Sequence, residues 1–316
     1  LGVALKREGA SFPVGNVDFL TLFPVSFSEF LPIYNPNLSR FLENYSHAKT
    51  REKVPEIFHS QLIGAYKVYL CSGGMPETVV RYLETKKWQD VDSVNKQIIT
   101  AYTLDFAKHI DSKDIPRLHR LWQNIHDNLA KEDRKFKYAL LEKNARAREY
   151  ENAVEWLSIS GLVNRIFEVQ TPRLPLAAYK NSSAFKLYMI DTGLLRTQLH
   201  LSPLTILQDD KLFTEFKGIL TENYVLQSLT QQFGNNIFYW TSGNQAEIEF
   251  LFEKDSRIIP VEVKSALSIK SKSMSEYRKR NQPELSVRFS LKNVEKNDDL
   301  LSLPLYLADF LSLLIF

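Results

Sequence analysis

One cysteine, Cys71, stands in 316 residues. A lone thiol excludes an internal disulfide and every cysteine-rich zinc site, and it suits a reducing, cytoplasmic setting; Cys71 reads as a buried structural residue. Long apolar runs are missing as well. The most apolar stretch, Leu300–Phe316, is broken by Pro304 and Asp309 and falls short of a bilayer span, so no membrane partner is expected. It reads instead as a last strand, Leu303–Leu307, followed by a short packing helix. There is no signal-peptide pattern. The formal charge of +3 is too small to argue for nucleic acid across the whole chain, so any such case rests on local patches. His59, His109, His119, His126 and His200 are scattered, with no zinc-ligand spacing beside acids. Ser182 and Ser183 have no partner histidine and no elbow motif, which argues against hydrolase chemistry. No Gly-x-x-x-x-Gly-Lys-Ser/Thr loop occurs, and no apolar strand ends in Asp-Asp or Asp-Glu, so productive ATP binding is not expected of these residues alone.

What is present is the composition of a soluble globular protein, 44% hydrophobic and 24% charged. The length calls for two or three domains. Near the start, Val17–Leu22 is strand-like, and Ser26 with Glu29 has the spacing of a helix capping box. Residues 35 to 109 read as helices, with Lys53–Leu70 apolar at helical spacing and Val94–Phe106 continuing the pattern. Between them, Ser72-Gly73-Gly74-Met75 leads into Pro76 at the first position of a helix. A Gly-Gly turn at a helix start can bind phosphate through backbone amides, but a tight turn before an N-terminal proline is the stronger reading here.

Asp111 is expected to cap a helix carrying Ile115, Leu118, Trp122, Ile125 and Leu129 on one face. A further helix from about Ala145 to Ser160 stops at Gly161, a C′ glycine. Strands Leu162–Val169 and Phe185–Ile190 follow, joined by a Thr171–Ser183 loop. Three helices and then a two-stranded ribbon is the order of a winged helix, with residues 145–160 as recognition helix and 171–183 as wing. Lys143, Arg146 and Arg148, with Arg134, Lys135 and Lys137 before them and Arg173 and Lys180 on the wing, make a candidate DNA-phosphate patch. A protein-docking winged helix with a solvated basic face is the alternative. The basic run Lys270, Lys272, Arg278, Lys279 and Arg280 reads either as a second backbone-tracking stretch or as an ordinary solvated helix.

The richest stretch lies between Glu222 and Lys264. Glu247–Phe252 and Ile258–Lys264 read as strands bounded by turn residues. Alternation puts Glu247 and Glu249 on one face of the first, and Glu262 with Lys264 on one face of the second. Carboxylates turned to one side of two adjacent strands can hold a hard cation such as Mg²⁺. A lysine two residues away can orient or deprotonate a water, or neutralise a phosphate.

These positions resemble the core of the restriction-endonuclease-like, PD-(D/E)-x-K, nucleases. The resemblance implies catalytic residues Glu222 on a helix, Glu249 on one strand, and Glu262 with Lys264 on the next, with Glu222, Glu249 and Glu262 as metal ligands. The first-strand acid of that family is usually Asp, and here it is Glu249. Independently, the run Ser11-Phe-Pro-Val-Gly-Asn-Val-Asp-Phe-Leu-Thr-Leu-Phe-Pro-Val-Ser-Phe-Ser-Glu-Phe-Leu31, with Gly-Gly-Met-Pro-Glu at 73–77, resembles the end of the ATPase module in a family of prokaryotic AAA-type ATPases. In that family the module precedes a nuclease-like domain of unknown function, and the position of Asn16 is often basic.

Together these readings imply an α+β and α/β multidomain chain: an ATPase remnant at 1–34, a helical lid or linker at 35–110, a winged-helix domain at 111–200, and a restriction-endonuclease-like mixed sheet with flanking helices at 201–316. The implied partners are DNA and an ATPase module, encoded upstream or on a separate chain, with an oligomer possible. ATP would belong only to that missing module. Two functions remain open: a Mg²⁺-dependent endonuclease, and an inactive nuclease-like module that docks on DNA or protein.

Overall fold

The computed structural model describes residue 18 and residues 20–108, 110–131, 134–208, 214–243, 246–265 and 272–315. The readings at Asn16, His109 and Lys270, and most of the ATPase remnant, lie outside the described residues. Within the strand expected at 17–22, residues 20–22 have no regular structure.

The first half is helical: α1 (Phe27–Tyr34), α2 (Pro36–His47), α3 (Glu56–Ser72), α4 (Pro76–Thr85) and α5 (Trp88–Asp105). Ser26 caps α1 as its spacing implies. Its Oγ accepts from the Glu29 amide at 3.2 Å, and the Ser26 amide donates back to the Glu29 carboxylate at 2.8 Å. The amides of the Gly-Gly turn are consumed inside the protein: Gly73 donates to the Tyr69 carbonyl and Gly74 to the Asp191 carboxylate at 2.6 Å. Neither glycine amide is left for a phosphate, and Pro76 opens α4 as the turn reading requires.

The helix expected from Asp111 begins later and in two pieces, α6 (Ile115–Gln123) and α7 (Ile125–Leu129). Asp114, not Asp111, precedes it, because Pro116 favours a first turn just after Asp114. Next come α8 (Ala147–Ile159), β1 (Val163–Val169) and β2 (Lys180–Met189). Gly161 ends α8 with φ +75°, a left-handed position where glycine has no Cβ penalty. β2 starts five residues before the expected strand and so takes over the end of the presumed wing. A register shift between Phe167 and Glu168 lets Lys180 and Asn181 continue the pairing.

The remaining elements are α9 (Thr192–Gln198), α10 (Pro203–Leu207), α11 (Thr214–Phe233), β3 (Ile237–Thr241), β4 (Glu247–Lys254), β5 (Arg257–Val263), α12 (Lys272–Asn281), β6 (Ser286–Ser290), β7 (Glu295–Asn297), β8 (Leu300–Pro304) and α13 (Leu311–Ile315). The final strand ends at Pro304 rather than running from Leu303 to Leu307. Residues 305–310 form a 3-10 turn packed into the core.

Among the described residues all eight strands belong to one mixed sheet, in the order β2-β1-β3-β4-β5-β6-β8-β7. The hairpin assigned to a separate winged helix is therefore part of a continuous sheet. β1 pairs in parallel with β3, Phe167–Val169 against Phe238–Trp240, so the edge a free-standing wing would leave open is covered. β3, β6 and β8 are buried along their whole length, as sheet interiors covered on both faces require. One apolar cluster runs from Phe27 to Ile315, crossing the boundaries expected near 34, 110 and 200. A smaller one, including Trp240, Ile248, Leu251 and Tyr277, lies under α12. The winged helix and the nuclease-like fold thus survive only as readings of parts of one mixed α+β body. Among the described residues no helix is long and apolar enough to cross a membrane.

Candidate functional site

The strand register brings the predicted acids together. Phe250 pairs with Val261 in the antiparallel β4–β5 ladder, which sets Glu249 across from Glu262. In the parallel β5–β6 ladder Glu262 pairs with Arg288. α11 lies over this region and contributes Glu222. Glu222, Glu249 and Glu262 are all buried, Glu262 completely, at 0% exposure. Lys264, one residue past β5, is half-buried beside them; its Nζ lies 3.4 Å from Glu262 Oε1 and 3.7 Å from Glu249 Oε1. Sequence reasoning thus found four residues that the fold does gather in one place.

Their company is a different matter. Glu222 pairs with Arg134 through Oε1 and accepts from the Tyr188 hydroxyl at 3.2 Å through Oε2. Glu249 Oε2 accepts from the Val263 amide at 3.1 Å. Glu262 Oε2 accepts from Arg288 Nε at 2.7 Å. On the same side Glu247 pairs with the fully buried Lys186. Every carboxylate oxygen of Glu222, Glu249 and Glu262 therefore faces a protein donor or cation. Four glutamates (222, 247, 249, 262) meet four cations (Arg134, Lys186, Lys264, Arg288).

That balance bears on the expected Mg²⁺. Among the described residues no three His, Cys, Asp or Glu side chains stand as a metal-holding group. A divalent ion would add two charges to a cluster already neutralised, and would have to displace an arginine or Lys264 from buried carboxylates. In this arrangement Glu222, Glu249 and Glu262 do not fit a shared metal. The charge that a metal would supply comes from the protein, and Lys264 is an ion-pair partner of Glu249 and Glu262.

Burial pushes the Glu249 carboxyl up to about 7; the Lys264 ammonium opposes this, and Glu222, Glu262 and Glu247 add to it. Burial works against the Lys264 ammonium, but Glu249 and Glu262 outweigh it and hold its pKa above the ordinary lysine value. Arg134 behaves likewise: burial is overcome by Glu222, then Tyr188 and Glu249, so it stays firmly charged. The sign for Glu249 follows from linkage. Its folded pKa of about 7 lies above the ordinary 4.5, so between those values the folded state holds the extra proton. The contribution of Glu249 to stability therefore declines as pH rises from about 4.5 to 7. Glu249→Gln cannot titrate, so the stability of this variant relative to wild type should rise across that window by about 1 kcal/mol per pH unit. Denaturant titrations at several pH values measure it, and a difference that stays flat with pH would refute it.

The expected DNA contacts divide. Lys143, Arg146, Arg148 and Arg173 lie at the surface, the first three around the start of α8 and Arg173 on the β1–β2 connection. There the Arg146 amide donates to Glu149 at 3.0 Å. Arg134 and Lys135 are withdrawn from any such patch, Arg134 into the acid cluster and Lys135 onto buried Glu168 at 2.9 Å. The rest of α8 exposes Glu151 and Glu155, acids that do not suit a helix seated among phosphates. Lys180 lies over the Phe167 ring at 5.0 Å. On α12, Arg278 pairs with Asp299 and Arg280 with Glu276, as a solvated helix does.

Sequence reasoning missed Arg288, Lys186 and Tyr188. The signal for Arg288 was a single charge inside Ser-Val-Arg-Phe-Ser, an otherwise short apolar strand, since a charge there must have a buried partner.

Two family models match this chain, both described as domains of unknown function: DUF8612 over residues 63–205 and DUF4143 over residues 217–306. Glu222, Glu249, Glu262, Lys264 and Arg288 fall within the second match, and Arg134 and Lys186 within the first. No curated protein and no solved structure matches the chain.

Proposed function

We propose that this chain is a docking module built on a nuclease-like sheet whose acid site is closed by protein cations, and not a working endonuclease. The observation that carries this is the complete pairing of the Glu222, Glu249 and Glu262 oxygens by Arg134, Tyr188, Val263, Lys264 and Arg288. The resemblance of residues 11–31 and 73–77 to the end of an ATPase module supports a role beside such a module, for which this body would provide the docking surface. The test is thermal unfolding of the full chain with and without millimolar Mg²⁺ or Mn²⁺, together with incubation on supercoiled and linear DNA. The expected result is no metal-induced shift and no cleavage. Metal-dependent cleavage that is lost in Lys264→Met would overturn the reading.

The partner class that the surface favours is duplex phosphate, contacted without base readout. Lys143, Arg146 and Arg148 are exposed around the start of α8, while Glu151 and Glu155 keep the body of that helix away from a groove. Arg146→Ala with Arg148→Ala should weaken duplex binding across sequences and lower the salt slope by about two. If the slope is unchanged, the helix docks protein instead.

A further inference from the structure

β3 covers its side of β1 from Phe167 to Val169 and no further. Upstream, Val163, Arg165 and Phe167 stand opposite Met189, Leu187 and Phe185 of β2. The Met189 amide and carbonyl are both taken by the Asn223 side chain, at 2.9 and 3.0 Å, and the Phe185 carbonyl accepts from the Phe136 amide. These β2 groups therefore point away from β1, and by alternation those of Val163, Arg165 and Phe167 point away from β2. Phe167 finds β3 there. Val163 and Arg165 face an edge that no strand among the described residues covers, and residues 163–166 span roughly 13 Å of it.

A cavity of about 890 Å³ runs along this stretch. Residues 162–167 line it, as do Ile237 at the start of β3 and residues 20–24. Arg165 is the cation among them, and its charge is unanswered. Its guanidinium carbon lies 4.0 Å from the centre of the Phe185 ring and 4.6 Å from that of Phe167. Its Nε is buried with no acceptor, and Arg165 forms no ion pair among the described residues. Burial lowers its pKa, and Tyr138, Glu151 and Glu155 offset this only in part.

We propose that this groove receives an extended segment of a partner protein, which pairs with Val163 and Arg165 as an added strand and sets a carboxylate against the Arg165 guanidinium. Open strand amides and carbonyls call for another backbone in the strand conformation. The unpaired guanidinium selects an acid on that segment, since a charge-assisted bond satisfies it best. Leu22, Ile166 and Ile237 among the walls select apolar residues beside the acid. Ser158 and Ile159 bring the end of α8 to the groove, whereas Lys143, Arg146 and Arg148 lie around its start. This is therefore a second docking surface, and its failure would leave the reading of the closed acid cluster untouched.

Selection of displayed random decapeptides on the full chain tests this, followed by titration of the free peptides. Enriched sequences should carry apolar residues at every second position, one Asp or Glu, and no internal proline. N-methylation along such a peptide should weaken binding by about tenfold or more at alternate amides and little in between. Arg165→Gln should lose a similar factor against the acidic peptide, and nothing against the same peptide with its acid made an amide. Should Arg165→Gln fail to melt cooperatively, Leu22→Asp replaces it. Leu22 is 87% exposed, and aspartate there puts a like charge in the groove, so the acidic peptide alone should weaken. No enriched peptide, or binding indifferent to N-methylation, overturns the added strand. An equal loss for the acidic and amide peptides overturns the contact with Arg165. A chain that dimerises until the peptide disperses it has a second copy in the groove, and overturns the partner.

Discussion

Glu262→Ala should lower the folding free energy of the full chain by about 3–5 kcal/mol, because it breaks a buried ion pair from one side only. Glu262 is fully buried, and its two oxygens serve Arg288 at 2.7 Å and Lys264 at 3.4 Å. Lys264 is partly exposed and can turn to water or to Glu249. Arg288, only 8% exposed on a central strand, cannot, so the variant strands a buried guanidinium whose carboxylate partner is gone. Arg288→Ala should cost a similar amount by stranding the carboxylate. The double replacement Glu262→Leu with Arg288→Met removes both charges together, leaves three glutamates facing three cations, and should be close to neutral or stabilising. Urea denaturation of the two single variants and the double variant measures this. Single losses below about 1 kcal/mol, or a double variant as unstable as the singles, would mean that the pair is solvated and that the cluster is not the closed network described above. A stable double variant would also show that the fold tolerates removal of one of its four clustered glutamates.

The gathering of Glu222, Glu249, Glu262 and Lys264 was legible because alternation along a strand is a local property. Once Glu247–Phe252 and Ile258–Lys264 are strands, the faces of their side chains follow. What neutralises those acids was not legible. Arg134 arrives through a contact 88 residues long, and it looked like part of a basic run. Arg288 is placed by a parallel register, which no local pattern encodes. The same limit explains the winged helix. Its three helices and its hairpin are nearly all present, but the parallel β1–β3 pairing that merges the hairpin into a larger sheet joins residues about 70 positions apart. Leu303–Leu307 failed for another reason. An apolar run of that length suits a strand or a buried turn equally, and Pro304 marks the end of β8 rather than its middle.

The other large effect lies at the crossing that the Gly-Gly turn makes with the start of α9. Gly193 packs directly on the α3 terminus, where a Cβ would stand 2.3 Å from the Ser72 carbonyl oxygen and 2.8 Å from the Gly73 nitrogen. At Gly74 a Cβ would stand 2.1 Å from the Val25 carbonyl oxygen. In both cases the obstacle is backbone, and that backbone is tied down. The Val25 amide donates to the Gly74 carbonyl at 2.7 Å, and the Val25 carbonyl accepts from the Tyr69 hydroxyl at 2.6 Å. Asp191, fully buried, holds the two sides together through the Gly74 amide at 2.6 Å and the Leu194 amide at 2.9 Å. Neither side of the crossing can yield without losing bonds that no water replaces. Gly193→Ala and Gly74→Ala are each expected to cost about 3 kcal/mol or more, at or above the upper range for overpacking, because backbone rather than side chain must move. At the usual unfolding entropy per residue, a chain of 316 residues turns that into a fall of roughly 4–5 °C or more in melting temperature. Gly64→Ala is the control. Gly64 lies inside α3, and a Cβ added to it would meet nothing within 4 Å, so alanine there should stabilise by about 0.5–1 kcal/mol through helix propensity alone. Calorimetric melts of the three variants decide the matter. A Gly193→Ala protein that melts with wild type would show that α9 and the α3 terminus are free to separate, and the tight crossing would have to be abandoned.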